Sequence, residues 1–291
     1  MRPLDILAGL GVLICWGLTF PIAKIGIAEL PPLTMISLRY VLTAVLLAAF
    51  LRVPKHGFGL VIVISIALGG FHFPLMFSGV AGVDAAVAAI VMQAQSPFAV
   101  ILAVVILGER LTALRLFGLL VAFGGVAMLA GEPADQSSLL HIVLLVVSAF
   151  AWAIASLLIK RVPAVGVFQL NAWIALLAIP QVAIASWVLE RGQIEAIMHA
   201  SLRGWGTVFF LALGGTIIGW GGMSYLLKRY PVSRVTPIAL AIPVVGISAA
   251  VILLDEPLTY LRLVAALLTV IGVAIVMFAP AHRTTAPPVE S

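Results

Sequence analysis

The chain is a succession of long apolar runs separated by short segments that carry its few charges. Segments free of Asp, Glu, Lys and Arg cover residues 6–23, 56–83, 85–108, 136–159, 162–189, 204–227 and 235–254. Three shorter runs, at 40–51, 116–131 and 263–282, reach spanning length once flanking residues are included. A helix needs about 20 mostly apolar residues to cross a bilayer. The pattern therefore predicts an all-α membrane protein with ten transmembrane helices.

The second half of the chain repeats the first. At an offset of 147 positions, five residues of the first half, Glu109, Leu111, Thr112, Leu116 and Gly125, fall on Glu256, Leu258, Thr259, Leu263 and Gly272. An offset of 136 places Trp16 on Trp152 and Lys24 on Lys160. We therefore expect two five-helix repeats, 1–134 and 135–280, and a cytoplasmic tail, 281–291. An odd number of helices per repeat predicts inverted repeats, which are common in transporters.

Composition and charge place the chain in the membrane. Hydrophobic residues make up 63% of it and charged residues 9%, whereas a soluble domain carries about 25% charged residues. With a cytoplasmic N-terminus, eleven Lys and Arg residues lie in inner segments and four in outer ones. This bias predicts an inner (plasma) membrane protein with both termini in the cytoplasm. The basic residues occur singly between apolar runs, so no nucleic-acid partner is expected.

No pattern of a catalytic, metal or cofactor site occurs in the sequence. Its single cysteine, Cys15, lies in the first apolar run and excludes an intramolecular disulfide. HExxH, nucleophile-elbow and Walker A sequences are missing. We therefore expect no enzyme activity, no cofactor and no metal. The expected partners are a small-molecule substrate and the lipid bilayer, and association into a homodimer stays open.

A polar stretch within the fourth helix predicts one wall of a cavity. It contains Gln93, Gln95, Ser96 and Pro97. At 100° per residue, Gln93, Ser96 and Pro97 share a face, whereas Gln95 points roughly opposite, and which glutamine faces the cavity stays open. Pro97 and Pro243 each leave a carbonyl four residues back without its helical hydrogen bond, so we expect both to be kinks that line the cavity. The alternative is that the glutamines bond a neighbouring helix.

Two further polar residues fall inside apolar runs. Arg39 lies near the start of the second helix, and a charged residue at such a place is a functional-site hypothesis by default. It would bind a carboxylate or phosphate through its planar fork, or else extend outward to the lipid headgroups. His72 follows Gly69 and Gly70 at a flexible midpoint of the third helix. It is either a cavity or proton-relay residue or a hydrogen-bonded core residue.

Three tryptophans and two lysines complete the candidate substrate path. Trp16, Trp152 and Trp220 lie mid-helix, away from the interfaces where tryptophan is usually enriched. They either line the cavity or pack within the bundle. Lys24 and Lys160 are candidate charges at opposite mouths, unless they extend to the headgroups.

The remaining polar and small residues predict structural roles. Asp84 is expected to be the N-cap of the fourth helix. Glu109 and Glu256, in the two hinges, are interpreted mainly as loop structure. Close helix packing is predicted at three glycines of the fifth helix, Gly118, Gly124 and Gly125.

These motifs resemble the ten-helix EamA branch of the drug/metabolite transporter superfamily. The likeness is carried by WGLTFPIAK, PPLTMISLRY and the doubled hinge sequences PFAVILAVVILGERLT and IPVVGISAAVILLDEPLT. Within the branch, VMQAQSPFAVILAVVILGERL and the stretch from Gly219 to Thr259 are most similar to bacterial exporters of O-acetylserine and cysteine. The sequence departs from them at GGFHF, which contains His72.

The resemblance implies a secondary or facilitative exporter of small amino acids or related metabolites that works by alternating access. An exporter of a sugar, a nucleobase or a drug is the alternative within transport. A membrane scaffold or a lipid-modifying protein is the alternative outside it, although the sequence offers neither soluble partner surface nor catalytic carboxylates for those roles.

Overall fold

The structure is a computed structural model that describes residues 2–54, 56–108, 111–131, 138–162 and 165–279. Over these ranges the chain is helical and contains no β-strand. The predicted cytoplasmic tail lies outside the described residues.

Ten long helices follow one another along the described part of the chain. Numbered in chain order, they are α1 Pro3–Ile27, α2 Pro32–Leu46, α3 Phe58–Ala81, α4 Ala85–Ile106, α5 Ala113–Leu129, α6 Leu139–Ile159, α7 Val167–Leu189, α8 Leu202–Arg229, α9 Val232–Leu254 and α10 Tyr260–Phe278. Eight are long and apolar enough to cross a membrane. The other two, α2 and α5, are apolar but have only 15 and 17 residues. A short helix, Gln193–His199, lies between α7 and α8.

The repeated hinge motif has the same local structure in both halves. Gly108 and Asp255, at equivalent positions, end α4 and α9 with left-handed backbone (φ 67° and 53°). Thr112 and Thr259 then cap α5 and α10, and each hydroxyl accepts a hydrogen bond from the N–H three residues on (3.3 and 3.2 Å). The sequence repeat is therefore a repeat of helix-ending and helix-starting signals. Glu109, in the first hinge, lies outside the described residues.

Helices α5 and α10 pack closely through small residues. A Cβ added at Gly118 would lie 3.0 Å from the carbonyl oxygen of Gly272, and one added at Gly125 would lie 2.7 Å from that of Ala265. The two contacts are related by the repeat, because Gly118 is equivalent to Ala265 and Gly125 is equivalent to Gly272 at the offset of 147. The later residue of α5 contacts the earlier residue of α10. These equivalent helices of the two halves therefore pack antiparallel to each other.

The close packing predicted for the fifth helix holds for two of its three glycines. Gly118 and Gly125 face α10, but a Cβ on Gly124 would meet nothing within 4 Å, so the prediction for Gly124 is wrong. The physical reason is the helical period, since adjacent residues are about 100° apart and cannot share one narrow face.

The other helix contacts also come in pairs related by the repeat. Helix α2 packs on its equivalent, α7. The contact of α1 with α9 has its counterpart in that of α6 with α4, and α8 on α1 corresponds to α3 on α6. The largest buried apolar cluster runs through both halves, from Phe20 to Ala266.

Three helices change their winding in the middle. α3 is π-helical over Ile66–His72, and α8 is π-helical over Leu211–Trp220. Both segments contain the sequence Ala-Leu-Gly-Gly, at 67–70 and 212–215. α4 contains a 3₁₀ turn at Met92–Ala94, just before Pro97. In α9 the helix continues through Pro243 without interruption, so the kink predicted there is not a break in the helix.

The α5–α10 contact gives a stability prediction with an internal control. Gly272→Ala would place a Cβ against the backbone nitrogen of Ala122, and overpacking of this kind costs about 1–3 kcal/mol. We expect a lower midpoint of thermal unfolding for the detergent-solubilised protein. Gly124→Ala, in open space on α5, should be neutral or stabilising because alanine favours helix. Equal midpoints for the two variants would contradict the close contact.

Candidate functional site

A cavity of about 160 Å³ lies at the centre of the bundle. The π-helical segments of α3 and α8 and the 3₁₀ turn of α4 all contribute to its wall. All eight residues that the sequence predicts to bind substrate line this one cavity: Trp16, Arg39, His72, Gln93, Gln95, Ser96, Trp152 and Trp220. Apolar side chains complete the wall, among them Phe20, Phe73, Met76, Met92, Leu240 and Met277.

The tryptophans form a continuous aromatic wall. The ring of Trp220 lies edge-on to Trp16, with 5.5 Å between centroids, and 5.2 Å from Trp152. Trp152 in turn contacts His72 at 4.9 Å. The indole N–H of Trp16 donates a hydrogen bond to the carbonyl oxygen of Gly215 (3.1 Å), within the π-helical segment of α8. Trp16 and Trp152 are equivalent residues of the two halves, so the repeat places one aromatic ring on each side of Trp220.

Arg39 faces the cavity and not the lipid. Its side chain is 5% exposed, so the outward-extending alternative does not describe it. The guanidinium lies 4.3 Å from the centroid of Phe73 and donates a 3.3 Å hydrogen bond to the hydroxyl of Thr216. Its Nε has no hydrogen-bond partner, and within the described residues no carboxylate lies within 4 Å of its nitrogens. The cavity therefore contains a buried cation without an anion.

His72 is held by a single serine on α6. Its Nδ1 lies 3.0 Å from the carbonyl oxygen of Ser148 and 2.9 Å from the Ser148 hydroxyl. That hydroxyl donates its proton to the backbone carbonyl of His72 (2.8 Å). Nδ1 therefore carries a hydrogen that it donates to Ser148, and the other ring nitrogen, Nε2, is the hydrogen-bond acceptor of the neutral ring.

Both glutamines line the cavity, which corrects the prediction that Gln95 points away from Gln93. Gln93 belongs to the 3₁₀ turn Met92–Ala94 and Gln95 follows it directly. A 3₁₀ helix turns about 120° per residue, so the two side chains point in less opposite directions than they would in an α-helix. Gln93 is buried and Gln95 half-buried, and neither side-chain amide makes a hydrogen bond to another described residue. The cavity wall thus presents two unused amides, together with the hydroxyl of Ser96.

The two helix prolines lie behind the wall and not on it. Neither Pro97 nor Pro243 is among the lining residues, which corrects the prediction that both line the cavity. The residues whose carbonyls they leave unbonded, Gln93 and Ala239, do line it. Each proline therefore affects the cavity through the preceding turn of its helix, where it leaves a carbonyl without a helical hydrogen bond.

The two candidate mouth lysines lie apart from the central cavity. Lys24 donates hydrogen bonds to three carbonyl oxygens at the end of α3, those of Val80, Ala81 and Val83 (3.1, 3.3 and 2.6 Å). It caps a helix and does not extend to the headgroups, as a cation near a helix C-terminus commonly does. Lys160 is the exposed residue that ends α6.

Asp84 occupies the N-cap position of α4, but the capping oxygens come from another residue. The Glu256 carboxylate accepts hydrogen bonds from the N–H groups of Ala85 (2.6 Å) and Ala86 (2.9 Å). Asp84 instead pairs with Arg262 of α10 at 2.6 Å. Both predictions are corrected, because Glu256 is buried and not simply part of a loop. Burial raises the pKa of its carboxyl, and the two N–H groups act in the opposite direction.

Sequence reasoning missed the residues that hold the candidate side chains. Thr216 and Ser148 contact Arg39 and His72, and the carbonyl of Gly215 orients Trp16. The repeated Ala-Leu-Gly-Gly sequence was the available signal, since it marks both π-helical segments and ends next to Thr216. π-Helical departures from α-helix frequently occur at functional sites.

An apolar helical bundle with two related halves and a polar cavity at its centre is the architecture of a membrane transporter. The chain belongs to the EamA-like transporter family, whose model matches it twice, at residues 4–131 and 139–278. This confirms the resemblance drawn from the sequence, and the protein is a multi-pass membrane protein.

Curated relatives match over nearly the whole chain. A probable amino-acid metabolite efflux pump of Escherichia coli K12 is 32% identical over 278 residues, which cover 92% of each chain. A protein of the same description from Salmonella typhimurium LT2 is 31% identical over 94% of this chain and 95% of its own. A solved crystal structure with 20% identity superposes with a TM-score of 0.66 and covers 94% of this chain and 96% of its own, which supports the fold.

The aromatic wall predicts a spectroscopic effect at Gly219. A Cβ at this position would lie 2.7 Å from Cδ1 of Trp16, so Gly219→Ala must displace that ring from Trp220. We expect an altered near-ultraviolet circular dichroism spectrum, because coupling between adjacent indoles contributes to it. Gly206→Ala, on the same helix with nothing within 4 Å, is the matched control and should keep the parental spectrum. An unchanged Gly219→Ala spectrum would contradict the packing.

Proposed function

We propose that the protein exports small amino acids or closely related metabolites, such as cysteine or O-acetylserine, by alternating access of the central cavity. The observation that carries the proposal is Arg39, a buried guanidinium in the cavity wall with no carboxylate partner in the described residues. A buried charge is costly unless it is paired. A substrate carboxylate would supply the missing anion, and the planar fork of arginine suits that group.

The rest of the wall suits the other end of an amino acid. Nε2 of His72 and the side-chain oxygens of Gln93 and Gln95 are acceptors for an ammonium group. The faces of Trp152 and Trp220 attract cations through their ring electrons. One cavity therefore contains groups suited to both the carboxylate and the ammonium of an amino acid.

The size of the cavity favours a small substrate. Its volume of about 160 Å³ is close to the roughly 150 Å³ that holds a benzene-sized molecule in another protein. A sugar or a larger drug would need the wall to move. Arg39 also distinguishes the candidates, since sugars and nucleobases have no carboxylate to pair with it.

We further propose ten membrane spans arranged as inverted repeats. The two shorter helices, α2 and α5, would cross the membrane with their flanking residues. Support for inversion comes from α5 and α10, because a two-fold axis that exchanges antiparallel helices turns one half upside down relative to the other. The excess of Lys and Arg in the inner segments supports cytoplasmic termini. Two inverted halves around one fixed site are an arrangement through which many transporters achieve alternating access.

The relatives support the direction and the substrate class. Two of them, matched along almost the whole chain, are described as probable amino-acid metabolite efflux pumps. Export of cysteine or O-acetylserine in particular rests on the sequence resemblance of α4 and α8–α9 to exporters of those compounds.

Counterflow in proteoliposomes with a panel of labelled amino acids and other metabolites tests the proposal. We expect uptake of small amino acids, partial activity for Arg39→Lys, which keeps the charge but loses the fork, and at least a tenfold loss for Arg39→Gln. Arg191→Gln, an exposed arginine outside the cavity, is the matched control and should keep parental activity.

Two outcomes would contradict this assignment. Counterflow of sugars or nucleobases without any amino acid would point to the alternative substrate classes. Amino-acid counterflow by Arg39→Gln with parental apparent affinity would remove the carboxylate-binding role of Arg39.

The unused amides give a separate prediction. Gln93→Leu and Gln95→Leu should each lower kcat/KM for the amino-acid substrate by roughly 5- to 150-fold, the effect of one unmade hydrogen bond to a substrate leaving water. Protein level in the membrane should stay near the parental value because neither amide bonds the protein. Gln169→Leu, which lies outside the cavity, serves as control. Parental kinetics in both variants would assign the two glutamines a structural role.

A further inference from the structure

The contact between Glu256 and the start of α4 lies in a surface groove at one end of the bundle. Ala89, Met92 and Gln93 of α4 form part of the cavity wall, and the N-terminus of the same helix is held by the Glu256 carboxylate. The first seven residues of α4, Ala85–Val91, therefore join a wall of the cavity to a contact between the two halves.

The first turn of α4 depends on this contact. The N–H groups of Ala85 and Ala86 belong to residues that are 0% and 1% exposed, and Asp84 provides no capping hydrogen bond. Without the Glu256 carboxylate both donors would be buried and unpaired, and each would carry the cost of lost hydration. If the helix end moved away from Glu256, water would replace the carboxylate.

The groups around Glu256 secure the same end of the bundle. A groove in the surface is lined by Lys24, Asp84, Glu256, Glu29 and Arg203, among others. Lys24 is bonded to the end of α3, and Glu29 accepts hydrogen bonds from the N–H and hydroxyl of Ser201 (both 2.7 Å).

Asp84 completes the set through its ion pair with Arg262, which is fully buried. All these charges except that of Arg203 are engaged in contacts between segments. The charges of the groove therefore mainly hold segments of the protein together, which leaves few of them for a ligand.

The groove and the cavity are separated by a thin layer. Phe20 and Leu211 line the cavity, whereas Ile22 and Phe210, one or two residues away on the same helices, line the groove. On the far side of Ala85–Val91 lies the 3₁₀ turn Met92–Ala94, where the helix changes its winding. The segment is thus held by hydrogen bonds to Glu256 at one end and adjoins a change of helical winding at the other.

We propose that Ala85–Val91 is a gate of the transport cavity and that the Glu256 carboxylate, with the Asp84–Arg262 pair, latches it shut. The inference rests on the proposed transport function. It assigns Glu256 a positioning role in access to the cavity and none in substrate binding. By the proposed topology this is the periplasmic entrance.

Thiol labelling tests the gate without any substrate. Cys15 is the only cysteine, so Cys15→Ala gives a background in which Ser96→Cys places one thiol in the cavity wall. Intact cells and inverted membrane vesicles are treated with a membrane-impermeant maleimide. We expect slow labelling from the periplasmic side in the Ser96→Cys parent. Glu256→Ala should label about tenfold faster, because loss of a helix cap shifts an equilibrium by about that factor.

Three further variants keep the outcome interpretable. Asp255→Asn removes the same charge from the adjacent, exposed residue and suits its left-handed backbone, so it should keep the parental rate. Glu256→Gln retains one capping oxygen and nearly the same volume, so it should give an intermediate rate, and it replaces Glu256→Ala if that variant is not inserted. Glu195→Cys, on an exposed helix, sets the rate for full access.

The gate is overturned if Glu256→Ala and Glu256→Gln label at the parental rate, or if the parent already labels as fast as Glu195→Cys. Equal acceleration in Asp255→Asn would overturn the specific role of Glu256, leaving a general charge effect. Because labelling needs no substrate, absence of amino-acid counterflow would contradict the proposed function and leave the gate result intact.

Discussion

The absence of water from the hydrocarbon core is the constraint on which the rest of this structure depends. Each backbone polar group at membrane depth must be satisfied within the protein or at a cavity. In this chain the departures from α-helix, in α3, α4 and α8, meet around the same central space. The irregular backbone, the Trp16 indole with its hydrogen bond and the free glutamine amides are thereby collected in one place.

The scaffold is symmetric, but the chemistry of the cavity is not. Helix ends, caps and the α5–α10 contact recur in both halves. The polar cavity side chains, in contrast, come from the first half, with Arg39, His72, Gln93, Gln95 and Ser96. The second half contributes the rings of Trp152 and Trp220, and it orients Arg39 and Trp16 through Thr216 and Gly215. The first half thus supplies the hydrogen-bonding and charged groups of the cavity, and the second half supplies two rings and also holds His72 in position through Ser148.

The sequence predicted the helices, the repeat and the set of cavity residues because these depend on one-dimensional patterns. Polar residues in an apolar helix must face inward, and that rule alone brings Arg39 and the glutamines together. It could not give the rotation of Gln95, which depends on a 3₁₀ turn that no propensity marks clearly. Nor could it find the partner of the α4 N-terminus, because Glu256 lies 171 residues from Ala85 and a nearby aspartate offers an equally good local solution.

The methionines of the cavity wall have a consequence for selectivity. Met76, Met92 and Met277 come from three different helices. Methionine is unbranched and polarisable, with three rotatable bonds. An added methylene on a ligand can therefore be accommodated by side-chain rotation, at little cost to the backbone. Under the proposed function, discrimination between neighbouring members of a homologous series is expected to be weak, whereas the charge of Arg39 would discriminate strongly between functional groups. Such a wall sorts molecules by their head group and tolerates variety in their tails.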